Sequence, residues 1–175
     1  MEDTAIPELV HQIAWCQYER LVQLDEEVNW YQEQIQDPVQ QDTTLKRLVQ
    51  LPGFGPIVSS AVKTWLGDGH QFTRGRDASA ALGVVPRQHS SGAKPVLLGI
   101  SKRGDAYIRC LVTHGARSVV RCAHNKRDPL SVWIPRLVER RGIHKATVAL
   151  ANKLVRIAWA MVVHEQDYRP ATITV

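Results

Sequence analysis

The stretch Leu51-Pro52-Gly53-Phe54-Gly55-Pro56-Ile57 decides how the rest of the chain is read. Two glycines flank one large hydrophobe, and Ile57, Val58, Ala61, Val62 and Trp65 follow at helical spacing. Pro56 suits the first position of a helix, where its missing N–H would have no partner anyway. With a shorter helix over Thr43–Gln50 in front, residues 43–66 read as a helix-hairpin-helix. Gly53 and Gly55 can take positive φ and let a DNA backbone come close. The second helix offers free N–H groups at its N-terminus to a phosphate. Such contacts position a duplex without reading its sequence. A tight helix connection with no ligand is the plainer reading of the same residues.

Upstream, Val10, Ala14, Gln17, Leu21, Leu24, Val28, Tyr31 and Ile35 recur at alternating spacings of four and three, a heptad seam. Asp37-Pro38 is predicted to end this helix, because proline disfavours helix in the residue before it. Residues 1–42 therefore read as an acidic coiled-coil arm, with one amphipathic helix packed on its own domain as the alternative. Downstream, a helical stretch from Phe72 to Leu82 stops at Gly83, a C-cap residue. Residues 84–95 mix hydroxyls, a glycine, two bases and His89 with no apolar period, and read as a loop. Ser101 is the expected N-cap of a helix carrying Ile108, Leu111, Val112, Gly115, Ala116, Val119 and Val120 on one stripe. Helices over 129–140 and 145–165 complete a helical core at 101–167, ahead of a short tail at 171–175. The last helix is apolar almost all round and is the expected buried centre. The fold class is mainly α: a coiled-coil arm, then a compact helical domain over 43–170 that contains the helix-hairpin-helix.

Charge also divides the 175-residue chain into an acidic first part and a basic remainder. Residues 1–50 carry ten acids against three bases, net −7, and residues 51–175 seven acids against nineteen bases, net +12. A basic body of this size points to a polyanion. Eighteen consecutive apolar residues occur nowhere, and Met1-Glu-Asp-Thr4 lacks a signal peptide's basic start, so no membrane is expected and the address is cytoplasmic. Cys16, Cys110 and Cys122 fit free thiols in a reducing compartment.

Which residues could carry chemistry on a polyanion? The carboxylates of the basic body, Asp68, Asp77, Asp105, Asp128, Glu139, Glu165 and Asp167, show no metal-site spacing, so no metal residue is assigned. Cys110, His114, Cys122 and His124 could make a zinc site only if one helix gathered residues that lie about 120° apart around it, which 3.6 residues per turn forbids. His114-Gly-Ala-Arg117 has the His-x-x-Arg spacing of tyrosine recombinases, with Tyr107 or Tyr168 as the attacking group and a helix with a polar face as the plainer reading. A serine in the loop Pro86–Pro95 is the other nucleophile. It needs a base or a dense cationic surround, which Arg87, Lys94, Lys102 and Arg103 could supply, with His89 as a proton relay.

The ordered set Leu51-Pro-Gly-Phe-Gly-Pro56, Phe72, Leu82-Gly-Val-Val-Pro86, Ser91-Gly92, Ile100-Ser-Lys-Arg-Gly104 and Arg109 resembles the C-terminal domain of the insertion-sequence 110 family (116/110/902 type) transposases, which include the Piv-type DNA invertases. The likeness runs from the arm to about Tyr168, and its specificity lies in the order of motifs that are individually weak. It implies a DNA recombinase that cuts and rejoins strands through a serine–phosphate link, with Ser91, directly before Gly92, as nucleophile and Ser90 a bystander. Together with the hairpin glycines Gly53 and Gly55, the cations Arg87, Lys94, Lys102, Arg103 and Arg109 are the expected nucleic-acid- and phosphate-binding residues. The resemblance also implies a structured guide RNA that pairs with target and donor DNA, leaving the protein to grip backbone and shape.

Members of that family join an N-terminal RuvC-like domain, bearing a metal-binding Asp-Glu-Asp-Asp set, through a coiled coil to this domain. The present sequence begins at the coiled coil. The resemblance therefore implies a truncated or split enzyme, with no cofactor of its own and Mg²⁺ expected at the RuvC-like half. It further implies self-association through the arm and recombination only with a full-length partner. The competing readings are a non-catalytic nucleic-acid-binding helix-hairpin-helix module, a tyrosine-type recombinase fragment and a purely structural interaction protein.

Overall fold

A computed structural model describes residues 7–89, 96–125 and 128–170. Among them are seven α-helices and one two-stranded sheet, so the architecture is mainly α. Two compact units divide between Pro38 and Val39.

The first unit holds all but the last turn of α1 (Glu8–Gln41), a single helix whose seam side chains Leu21 and Tyr31 are 61% and 58% exposed. Trp15, Tyr18 and Trp30 are exposed as well, with Trp15 donating from its indole N–H to Glu19 one turn on. The helix does not stop before Pro38; it runs through it to Gln41. A proline removes one hydrogen bond of the ladder, and in the last turn that loss is offset by burial of Val39, which belongs to the second unit. Asp42 supplies the real stop. Its side chain accepts from the N–H groups of Thr44 and Leu45 and so caps α2 (Thr43–Leu48). The same carboxylate pairs with Lys63 of α3 (Pro56–Leu66), tying the two helices together.

The core of the second unit forms around α7 (Ile143–Val163), as its all-round apolarity predicted. Eight of its residues are buried, among them Leu150, Leu154 and Val155 with no exposure at all. Each such side chain contributes about 1.5 to 3 kcal/mol when removed from water. Against it pack α4 (Gly75–Leu82), α5 (Ala106–Cys122) and α6 (Pro129–Arg141). Of the expected stripe of α5, Ile108, Val112, Ala116 and Val120 are buried, and Leu111, Gly115 and Val119 at its edge are partly buried. By length and mean hydropathy, 1.5, α7 is also apolar enough to cross a membrane, although it contains no unbroken apolar run of eighteen residues. Lys145, Lys153 and Arg156 interrupt it, and its buried face is the centre of the core.

Two further expectations change. The described part of the expected loop is not simply loop: β1 (Pro86–Gln88) pairs antiparallel with β2 (Leu97–Ile100), forming a ribbon, while residues 90–95 lie outside the described residues. Nor does Ser101 cap α5. Its N–H continues the ribbon by donating to Val85 O at 2.9 Å, and Asp105 is the cap, accepting from Ile108 N–H at 2.9 Å. The delay has a steric cause. Gly104 lies so close to Ala81 and Leu82 that a Cβ would come 2.1 Å from Ala81 O, and Lys102 has φ +56°, so neither is free to extend the helix backwards.

Candidate nucleic-acid interface

The hairpin between α2 and α3 is a tight turn closed by Phe54 N–H donating to Leu51 O at 3.0 Å. Pro52 and Gly53 are its central residues, and Gly53 has φ +83°, the positive value the second central position of a type II turn requires. Leu51 and Phe54 are buried, so the turn is anchored by its own hydrophobes. Gly55, by contrast, sits at φ −79° and ψ 179°, an extended conformation open to any residue, and serves as the N-cap of α3 without a side chain to cap it.

The two glycines also differ in what lies before them. A Cβ on Gly53 would come 2.6 Å from Gly115 O, and one on Gly115 would come 2.1 Å from Gly53 O. The hairpin backbone is thus pressed against the backbone of α5, and the space that would admit a DNA strand to Gly53 is filled by this protein. A Cβ on Gly55 would meet nothing within 4 Å. The approach to the N-terminus of α3 is open there.

At the ribbon, Arg87 is exposed on β1, and His89 N–H donates to Val96 O at 2.9 Å, so the two ends of the intervening segment are held together. Ser90, Ser91, Gly92 and Lys94 lie outside the described residues. Lys102 and Arg103 are exposed beyond β2. Arg109 is differently employed: its Nη1 donates to Leu82 O at 3.2 Å, Gly104 O at 2.8 Å and Asp105 O at 3.3 Å. It satisfies carbonyls at the end of α4 and in the loop before α5. Beneath the ribbon lies a groove of about 920 Å³ with Leu97 and Leu98 on one side and Arg141, His144 and Lys145 on the other. Those three bases are neighbours in sequence, yet no motif singled them out.

The carboxylates of the basic body are largely spent on structure. Asp77 accepts from Arg74 N–H, Asp105 and Asp128 cap helices, and Glu165 and Asp167 pair with Arg47. Among the described residues no group of three or more His, Cys, Asp or Glu side chains could hold a metal ion. His114 and Arg117 are exposed on α5, as is Tyr107 at its start. Tyr168 is half-buried, and that burial, with the Asp128 carboxylate adding to it, holds its phenol above the ordinary tyrosine range. A phenol so placed is harder to ionise and a poorer nucleophile at neutral pH.

Residues 45–130 match the Transposase IS116/IS110/IS902 family, a span that takes in the hairpin, the ribbon and α5. The chain belongs to that family. The transposase for insertion sequence element IS1111A of Coxiella burnetii is 45% identical over 88% of this chain and 42% of its own length. A probable family 20 transposase of Pseudomonas aeruginosa is 47% identical over 87% of this chain and 45% of its own. The transposase for insertion sequence element IS1328 of Yersinia enterocolitica is 38% identical over 79% and 41%. The chain spans less than half the length of these curated relatives.

Proposed function

We propose that this chain is the strand-transfer part of a DNA transposase and that Ser91 is its nucleophile. What supports the reading is the family match over residues 45–130, because it spans the segment bracketed by the ribbon together with the basic residues on either side. In the step proposed, the Ser91 hydroxyl attacks a phosphodiester phosphorus. The new O–P bond replaces the bond to the leaving sugar oxygen, and the serine proton ends on that oxygen. A phosphoserine keeps the energy of the broken diester, so religation needs no ATP. Arg87, Lys94, Lys102 and Arg103 would stabilise charge developing on the phosphoryl oxygens. The open end of α3 at Gly55 would seat a backbone phosphate. Arg109 would act through the loop it braces.

By the family resemblance, the intact enzyme would take its Mg²⁺ at a RuvC-like domain. A structured guide RNA would supply sequence selection by base pairing, and the exposed apolar seam of α1 would join two copies. Strand transfer is therefore assigned to this chain acting with a RuvC-like half.

The test is a nicked suicide DNA substrate incubated with the chain and a RuvC-like half. A covalent protein–DNA adduct is expected, and Ser91→Ala should abolish it. An adduct that survives Ser91→Ala removes the assignment, and one lost instead with Tyr168→Phe transfers it to the tyrosine. Salt-sensitive binding without any adduct would leave a non-catalytic binding module.

A further inference from the structure

A second basic surface lies apart from the hairpin and the ribbon. A groove of about 830 Å³ runs along α7 between the start of α4, one side of α6 and the segment after α7. Five cations line it: Arg74, Arg76, Lys153, Arg156 and Arg169. All five are exposed, and none has an ion pair among the described residues. The one acid of the lining, Asp167, is occupied by Arg47 and by the Gln50 side chain amide. Unpaired cations gathered in a concave site repel one another and raise the local potential, which favours a polyanionic ligand.

The walls narrow the choice of polyanion. Trp133, Trp159 and Tyr168 line the same groove, and the Lys153 ammonium lies 5.1 Å from the centre of the Trp133 ring. That contact fixes a flexible cation at the groove while the ring takes up the charge on its face. Aromatic rings interleaved with cations match a strand whose phosphates and unstacked bases are both within reach. A duplex keeps its bases stacked and paired, and would use only the cations.

We infer that this groove binds a single, unpaired nucleic-acid strand, with Arg74, Arg76, Lys153, Arg156 and Arg169 on its phosphates and the aromatic wall against its bases. The inference rests on the reading of the chain as a nucleic-acid-handling domain, and adds to it a site for a strand that the hairpin does not hold. Neither a target base nor a sequence is selected there, because the contacts are to charge and ring faces.

The test is fluorescence anisotropy of the whole chain against labelled oligonucleotides of about 16 nucleotides, oligo(U), oligo(dT) and a duplex, over a range of salt concentrations. Arg76→Gln with Arg156→Gln should weaken both single strands at least about tenfold and lower the salt slope by about 1.4, two contacts at about 0.7 each. Duplex affinity should change far less. Arg136→Gln with Arg140→Gln makes the same change of charge on exposed α6 residues outside the groove, and should leave the single-strand slope unchanged. Both pairs are surface substitutions, and circular dichroism checks that each variant is folded. Tighter binding of oligo(U) than oligo(dT) would identify RNA as the source of the strand, and the reverse would identify DNA. Equal losses with the two double variants, or equal losses on duplex and single strand, overturn the groove assignment while leaving nucleic-acid binding in place. Competition by polyglutamate at the same charge concentration would overturn it in favour of an acidic protein. No salt-sensitive binding to any of the three probes would overturn both this inference and the reading beneath it.

Discussion

In the hairpin Leu51–Pro56 the sequence is dense with signals, and most of them turn out to serve packing. Gly53 meets Gly115 backbone to backbone, Leu51 and Phe54 are buried, and only Gly55 leaves open space. The groove along α7 is the reverse case. Its cations come from residues 74–76, 153–156 and 169, too far apart to form any motif, and they are exposed and have no ion pair among the described residues. Glycines and prolines are recognisable because they constrain the backbone, and backbone constraints are needed wherever elements meet closely. A binding groove asks only that charges from several elements converge, which the tertiary fold decides.

The largest expected effect tests whether the hairpin is packed as tightly as this contrast requires. Gly115→Ala gains about 1 kcal/mol of helix propensity in the middle of α5. The new Cβ would nevertheless lie 2.1 Å from Gly53 O, a clash with backbone that no side-chain rotation relieves. A net loss of about 2 to 3 kcal/mol in urea unfolding is expected, at the upper end for overpacking. A stability equal to that of the parent would mean that the hairpin and α5 are not in contact, and Gly53 would return to the open surface.

Arg109 belongs to the same packed class although it is a cation in a motif. Replacing it with methionine keeps the apolar stem and removes three interactions with carbonyl oxygens of Leu82, Gly104 and Asp105. A loss of about 1.5 kcal/mol follows from charge-assisted bonds that are only partly buried. Salt dependence of duplex binding, measured on the folded variant, should stay as it was. A slope reduced by about 0.9, one phosphate contact on a duplex, with no loss of stability, would move Arg109 from the packed class to the binding class.

What the sequence made legible follows the same division. The all-round apolarity of α7 and the α5 stripe that contains the buried Ile108, Val112, Ala116 and Val120 could be read directly, because burial leaves a periodic record. The ribbon could not, since its strands have three and four residues and show no alternation of buried and exposed positions. Helix ends were the other failure. Pro38 and Ser101 looked like a stop and a start by local preference, but burial of Val39 and the close packing of Gly104 on Leu82 moved the boundaries to Asp42 and Asp105. Of the candidate site residues, Arg87, Lys102 and Arg103 are exposed, and Arg109 donates to the carbonyl oxygens of Leu82, Gly104 and Asp105. Arg141, His144 and Lys145 under the ribbon came to light only when the fold joined α6 and α7 to it.

The smallest effect on stability belongs to Gly55, and it separates the two glycines of one hairpin most cleanly. Its φ of −79° suits a side chain, and a Cβ there touches nothing within 4 Å. Glycine is a better N-cap than valine, but substitution also reduces the freedom of the unfolded chain, and the two effects oppose each other. Gly55→Val should therefore change stability by no more than about 0.5 kcal/mol. The added methyl groups would stand at the end of α3, where a phosphate would approach the free N–H groups. An anion at a helix N-terminus gains about 0.3 to 1 kcal/mol, so duplex affinity should fall about two- to fivefold. Single-strand binding in the groove along α7 should not change, because no residue of that groove is touched. Unchanged duplex affinity, in a variant as stable as the parent, would take the hairpin out of the interface altogether and leave its glycines with packing as their whole purpose.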